Sequence, residues 1–144
     1  MAIQSVGRRT ARRGGPPPGR RIVGSFSVSC SVENIAHRDR QASVAKARVD
    51  TGGEYTWLPQ EVLARIGIHR EKKDVQFVMA NGITVTRGVG FALIRIGEYF
   101  TVDEVIFAEP GDLALLGART LEGLSLIVDP RRKKLVAAGP IPAA

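Results

Sequence analysis

From Ser25 onward apolar and polar positions alternate strictly, with Phe26, Val28, Cys30 and Val32 on one face and Ser25, Ser27, Ser29 and Ser31 on the other. A period of two places successive side chains on opposite sides of an extended chain, so this segment is expected to be a half-buried strand. The polar run 36–41 then reads as a loop, and residues 43–49 as a second strand that delivers Asp50. Residues 58–66 read as a short helix, with Pro59 near its first turn, Val62, Leu63 and Ile66 on one face and Gly67 as its stop. The charged stretch 69–74 is expected to be a solvated turn. Apolar-rich runs at 75–80 and 83–86 flank Asn81-Gly82, a pair that tolerates the positive φ angles of a type I′ hairpin turn. Strands are expected to continue at 91–96, 100–107 and 113–116, bounded by Gly97-Glu98 and Pro110-Gly111. Residues 120–124 fit one helical turn, and 126–129 a closing strand ahead of the basic turn 130–134. Short strands at close spacing, with one or two short helices, specify a mainly β domain of barrel or sandwich type.

Composition narrows this to one domain: 144 residues, 44% hydrophobic and 24% charged, suit a single packed core. The formal charge of +7 is unevenly placed. Arg8, Arg9, Arg12, Arg13, Arg20 and Arg21 fall in residues 1–21 without an acidic partner, and the rest of the chain is nearly neutral. The same segment holds Gly14, Gly15, Pro16, Pro17, Pro18 and Gly19 and no apolar periodicity, so residues 1–24 are expected to be a disordered basic tail. The domain is assigned to residues 25–136, and 137–144 to a flexible C-terminal tail. No run of apolar residues is long enough to span a membrane and no secretory signal pattern is present, which makes a cytoplasmic location the expectation. The lone Cys30 excludes an intrachain disulfide, and its place on an apolar face makes it a core residue rather than a reactive thiol.

Candidate chemistry lies at Asp50-Thr51-Gly52-Gly53, where a carboxylate follows a strand and precedes a glycine pair that would present it on a tight turn. This motif resembles the active-site loop of the retropepsin and pepsin type of aspartic protease. Leu115-Leu116-Gly117 is similar to the family's hydrophobic-hydrophobic-Gly segment, which precedes a short helix and a final strand. Met79, Ala80, Asn81, Gly82 and Ile83 fall where the family places its substrate-covering flap. The order agrees from about Ser25 to Val136, and the likeness is more to bacterial retropepsin-like proteins than to the viral enzymes.

The resemblance implies a retropepsin-like acid protease barrel acting as a two-fold homodimer on polypeptide substrates, with no cofactor and no metal. It also implies that Asp50 is the catalytic residue, that Thr51, Gly52 and Gly53 support its loop, with Thr51 bonding across the interface, and that Leu115, Leu116 and Gly117 are structural beside the site. Amide hydrolysis by two carboxylates requires that they share one proton, because like charges at contact cannot both ionise. No second Asp-Thr-Gly or Asp-Ser-Gly exists in the chain, so one copy holds half a site.

Departures from the family pattern are Gly53-Glu54 in place of the usual Ala or Ser, with Glu54 either perturbing the pair or pointing to solvent, and a flap less rich in glycine. The C-terminal residues also suit the interdigitated strands of viral dimers poorly. Two histidines and one cysteine leave no inventory for a nucleophile triad or a clustered metal site. The serious rival is a non-catalytic dimer of the same fold that binds peptides, since fold does not dictate function. A third reading, phosphate contacts from the Arg-rich tail to nucleic acid or an anionic surface, ranks below a simply solvated tail.

Overall fold

In the computed structural model, which describes residues 25–144, the alternating segment is strand β1 (Ser27–Glu33), with Cys30 and Val32 buried. The expected basic tail, residues 1–24, lies outside the described residues. Burial pushes the Cys30 thiol up to about 11, in keeping with an inert core residue. Asn34 shapes the turn to β2 (Gln41–Val49): its Oδ1 accepts the Ala36 and His37 amides, and its Nδ2 donates to the Ile66 carbonyl at 2.9 Å.

Next come β3 (Thr56–Pro59), α1 (Gln60–Arg65), β4 (Lys72–Val78), β5 (Thr84–Ile96) and β6 (Tyr99–Ala108). The chain ends with β7 (Leu115–Leu116), α2 (Ala118–Leu124), β8 (Leu126–Asp129) and β9 (Lys134–Ala137). The large sheet runs β1-β2-β7-β3-β6-β5-β4, and β1 also pairs with β5. That extra pairing closes a barrel and leaves β4 outside the ring against β5, while β8 and β9 form a separate two-stranded sheet. The protein is thus mainly β, with an architecture consistent with a retropepsin-like barrel. No described helix is long and apolar enough to cross a membrane.

Four expectations change. The helix is shorter than 58–66, because Leu58 and Pro59 pair in parallel with Phe107 and Ala108; Pro59 keeps an extended ψ of 130° and helix begins only at Gln60. Tertiary pairing outweighs local preference here. The apolar runs at 83–86 and 91–96 are one strand, since Gly90 lets the chain pass close by: a Cβ there would meet the His69 carbonyl at 2.5 Å. Strand β4 starts inside the charged stretch, with Asp74 at φ 56° where the β4–β5 register shifts. Of the run 113–116 only Leu115 and Leu116 pair, and Leu113 is exposed.

Two apolar clusters lie on opposite sides of the sheet. The barrel interior holds Val32, Val44, Ala47, Leu58, Leu63, Ile94, Phe107 and Leu116 among others. The second centres on Trp57, Val89, Ile106 and Ala108, with Tyr55, Phe77, Met79 and Leu115 packed against it.

Candidate active site

Strand β2 ends beside β7 in parallel register, Val49 opposite Leu116, so the next residue leaves the sheet at a fixed place. The Asp50 amide donates to the Leu116 carbonyl at 3.0 Å and ties the start of the turn to β7. The turn then closes on the carboxylate: the Gly52 amide donates to Asp50 Oδ1 at 3.1 Å and the Gly53 amide to the Asp50 carbonyl at 3.3 Å. A Cβ on Gly53 would stand 3.0 Å from Asp50 Oδ2, so the second glycine leaves that oxygen open on one side. Asp50 and Thr51 are half-buried, and Glu54 is exposed.

The start of α2 grips the far side of the same turn. Its Ala118 and Arg119 amides, which have no partner within the helix, donate to the Gly53 and Glu54 carbonyls at 2.7 and 3.2 Å. Gly117 is required for this approach, because a Cβ there would lie 2.4 Å from the Tyr55 carbonyl oxygen. Asp50, Gly52, Gly53, Leu116 and Ala118 therefore form one hydrogen-bonded knot at the ends of β2 and β7, with Gly117 packed closely on Tyr55. Leu116 points into the barrel core, while Leu115 joins the second cluster.

The expected flap is the β4–β5 hairpin, but its turn is not type I′. The Gly82 amide donates to the Met79 carbonyl and the Met79 amide to the Ile83 carbonyl, both at 2.8 Å. Only Gly82 has positive φ, 84°, so the loop is a three-residue turn with a glycine bulge. Asn81 instead caps it through Oδ1, which accepts the Ile83 amide at 3.0 Å. Ala80, Asn81, Gly82 and Ile83 are exposed and Met79 is half-buried. The hairpin lies with one face on the strand that leaves the Asp50 turn: the Phe77 ring meets Tyr55 at 5.4 Å and Trp57 at 5.8 Å.

Sequence reasoning missed these aromatics and a buried polar chain beneath the turn. Thr56 and Thr120, both fully buried, place their hydroxyl oxygens 2.5 Å apart; Thr120 donates to Asp103 Oδ2 at 2.9 Å and Thr56 accepts the Gly117 amide at 3.0 Å. The faint signal was a threonine set within the apolar run Tyr55-Thr56-Trp57-Leu58. Nearby, the Lys72 ammonium at 2.7 Å, helped by Arg119, holds the Glu104 carboxyl below the usual range, and Arg119 also lies 4.9 Å from the Tyr55 ring centre. Among the described residues no group of three or more His, Cys, Asp or Glu is placed to hold a metal ion.

A family model described as "gag-polyprotein putative aspartyl protease" matches residues 40–123, which include the Asp50 turn, the β4–β5 hairpin and Leu115-Leu116-Gly117. No curated protein matches the chain. With more than half of its length matched, on a barrel of the retropepsin kind, the chain belongs to this aspartyl protease family.

Proposed function

We propose that the protein is an aspartic endopeptidase whose active site forms between two copies, each contributing Asp50. The observation that carries this reading is the Asp50 turn itself: a half-exposed carboxylate fixed by its own glycine amide and by β7. One such turn supplies one carboxylate, and a two-fold axis beside it supplies the second. With a single proton between them, the ionised Asp50 takes a proton from a water that attacks the scissile carbonyl carbon, while the protonated one donates to the carbonyl oxygen. Collapse of the tetrahedral intermediate breaks the carbon–nitrogen bond, and the amine leaves with a proton from the pair. The hairpin of β4 and β5 serves as the cover, braced by the contacts of Phe77 with Tyr55 and Trp57.

Digestion of a diverse peptide library, read by mass spectrometry, tests the reading. Wild type should cleave and Asp50→Asn should not. Cleavage that survives Asp50→Asn, or that a chelator stops, rules the mechanism out; tight peptide binding without cleavage by wild type favours the binding-module alternative.

A further inference from the structure

Asp103, Thr120 and Thr56 stand in line behind the Asp50 turn, and the direction of their hydrogen bonds is fixed. Thr120 donates its hydroxyl hydrogen to Asp103 Oδ2. The Thr120 oxygen must then accept from Thr56, whose hydrogen is committed in turn, and a Thr56 lone pair receives the Gly117 amide. Every hydroxyl hydrogen in the chain has one destination. Asp103 is itself anchored, since its Oδ1 accepts the Glu104 amide at 2.7 Å. Both threonines are fully buried, so water cannot replace either partner. Gly117 in turn follows Leu116, which holds the Asp50 amide, and precedes the two amides that hold Gly53 and Glu54.

We propose that Asp103, Thr120 and Thr56 are positioning residues that set the placement of the Asp50 carboxylate through the Gly117 amide. This rests on the proteolytic reading of Asp50. The hydroxyl chain touches no substrate; it fixes the height of β7, and through it the turn that must meet its twin across the two-fold axis. A small misplacement of reacting groups lowers the rate far more than it weakens substrate binding, because peptide is held along the cleft and the chemistry happens at one point.

The test uses the full chain with Thr56→Val, Thr120→Val and Asp103→Ala, and with Thr56→Ser and Thr120→Ser as conservative partners. Peptide hydrolysis, thermal unfolding and amide exchange at Gly117 are measured on each. Val and Ala variants should lose on the order of 10- to 100-fold in kcat with little change in KM. The Ser variants should recover most of that rate, and Gly117 exchange should quicken in the Val variants alone. Loss of rate that vanishes once corrected for the folded fraction, an equal loss in Ser and Val variants, or unchanged kcat overturns the proposal. Where a Val variant does not fold, the matching Ser variant and Asp103→Asn, which keeps an acceptor oxygen, must both retain wild-type kcat, and failure of either overturns it. If wild type cleaves no peptide, the protease reading fails on its own, and Gly117 exchange then decides whether the hydroxyl chain holds the turn.

Discussion

The amide of Asp50 is held by the carbonyl of Leu116 at 3.0 Å, a bond between segments far apart in sequence that meet only because β7 lies between β2 and β3. Strand β7 is parallel to the strand before the turn and antiparallel to the strand after it. The turn is therefore pinned from beneath as well as along its own chain.

Replacement of Gly117 is expected to break this knot. In Gly117→Ala the new methyl would sit 2.4 Å from the Tyr55 oxygen, and the obstruction is backbone, which cannot swing aside. A stability loss of about 3 kcal/mol is expected, the upper end of what overpacking costs. Urea unfolding of the variant checks it, and a midpoint equal to that of wild type contradicts the close approach described.

Much of the candidate site's arrangement was legible because its signals are local. A carboxylate before two glycines, an Asn-Gly pair between apolar runs and a Leu-Leu-Gly segment each need only a few neighbouring residues to be read. What stayed hidden depends on distant pairing. Leu58 and Pro59 look like a helix start until Phe107 and Ala108 claim them as strand. The union of two runs into β5 depends on where residues 68–70 cross Gly90. Phe77 braces the β4–β5 hairpin only by meeting Tyr55 and Trp57, and Thr120 becomes polar core only by facing Thr56.

Removing the Phe77 ring should loosen the β4–β5 hairpin without touching Asp50. Phe77 is half-buried, so Phe77→Ala is expected to cost about 1–2 kcal/mol, less than the ~3–5 kcal/mol of a fully buried ring. Limited proteolysis should nick the β4–β5 hairpin faster, and KM for peptides should rise more than kcat falls. Unchanged nicking and unchanged KM together would show that the aromatic contacts do not hold the hairpin.

The proposed sharing of one site by two subunits makes a mixing experiment decisive. Asp50→Asn subunits added in excess to wild type should pair with it and leave one carboxylate per site, so activity per wild-type subunit should fall towards zero. Dilution of wild type alone should also lower specific activity as dimers dissociate, with sedimentation showing the same midpoint. Full activity in a strictly monomeric sample would remove the two-fold site from consideration.

Acid should weaken the fold through Glu33, a buried carboxylate near the closure of the barrel. Arg38 at 2.7 Å, then Arg95 at 3.0 Å, hold its carboxyl below the usual value of 4.5 against the opposing effect of burial. The unfolded chain therefore binds this proton more readily than the folded one. The stabilisation is fully present above about 4.5 and is lost as pH falls through the lower folded value. Glu104, lowered chiefly by Lys72, and Asp112, lowered chiefly by Arg87, act in the same direction. Urea midpoints measured from neutral pH down to about pH 3 should thus drop most steeply below the ordinary carboxylate range. Glu33→Gln should be less stable than wild type at neutral pH and should show a shallower drop in acid, because the residue that gains the proton is gone. Two parallel curves would mean that the Glu33 pairs with Arg38 and Arg95 contribute nothing to the acid limit.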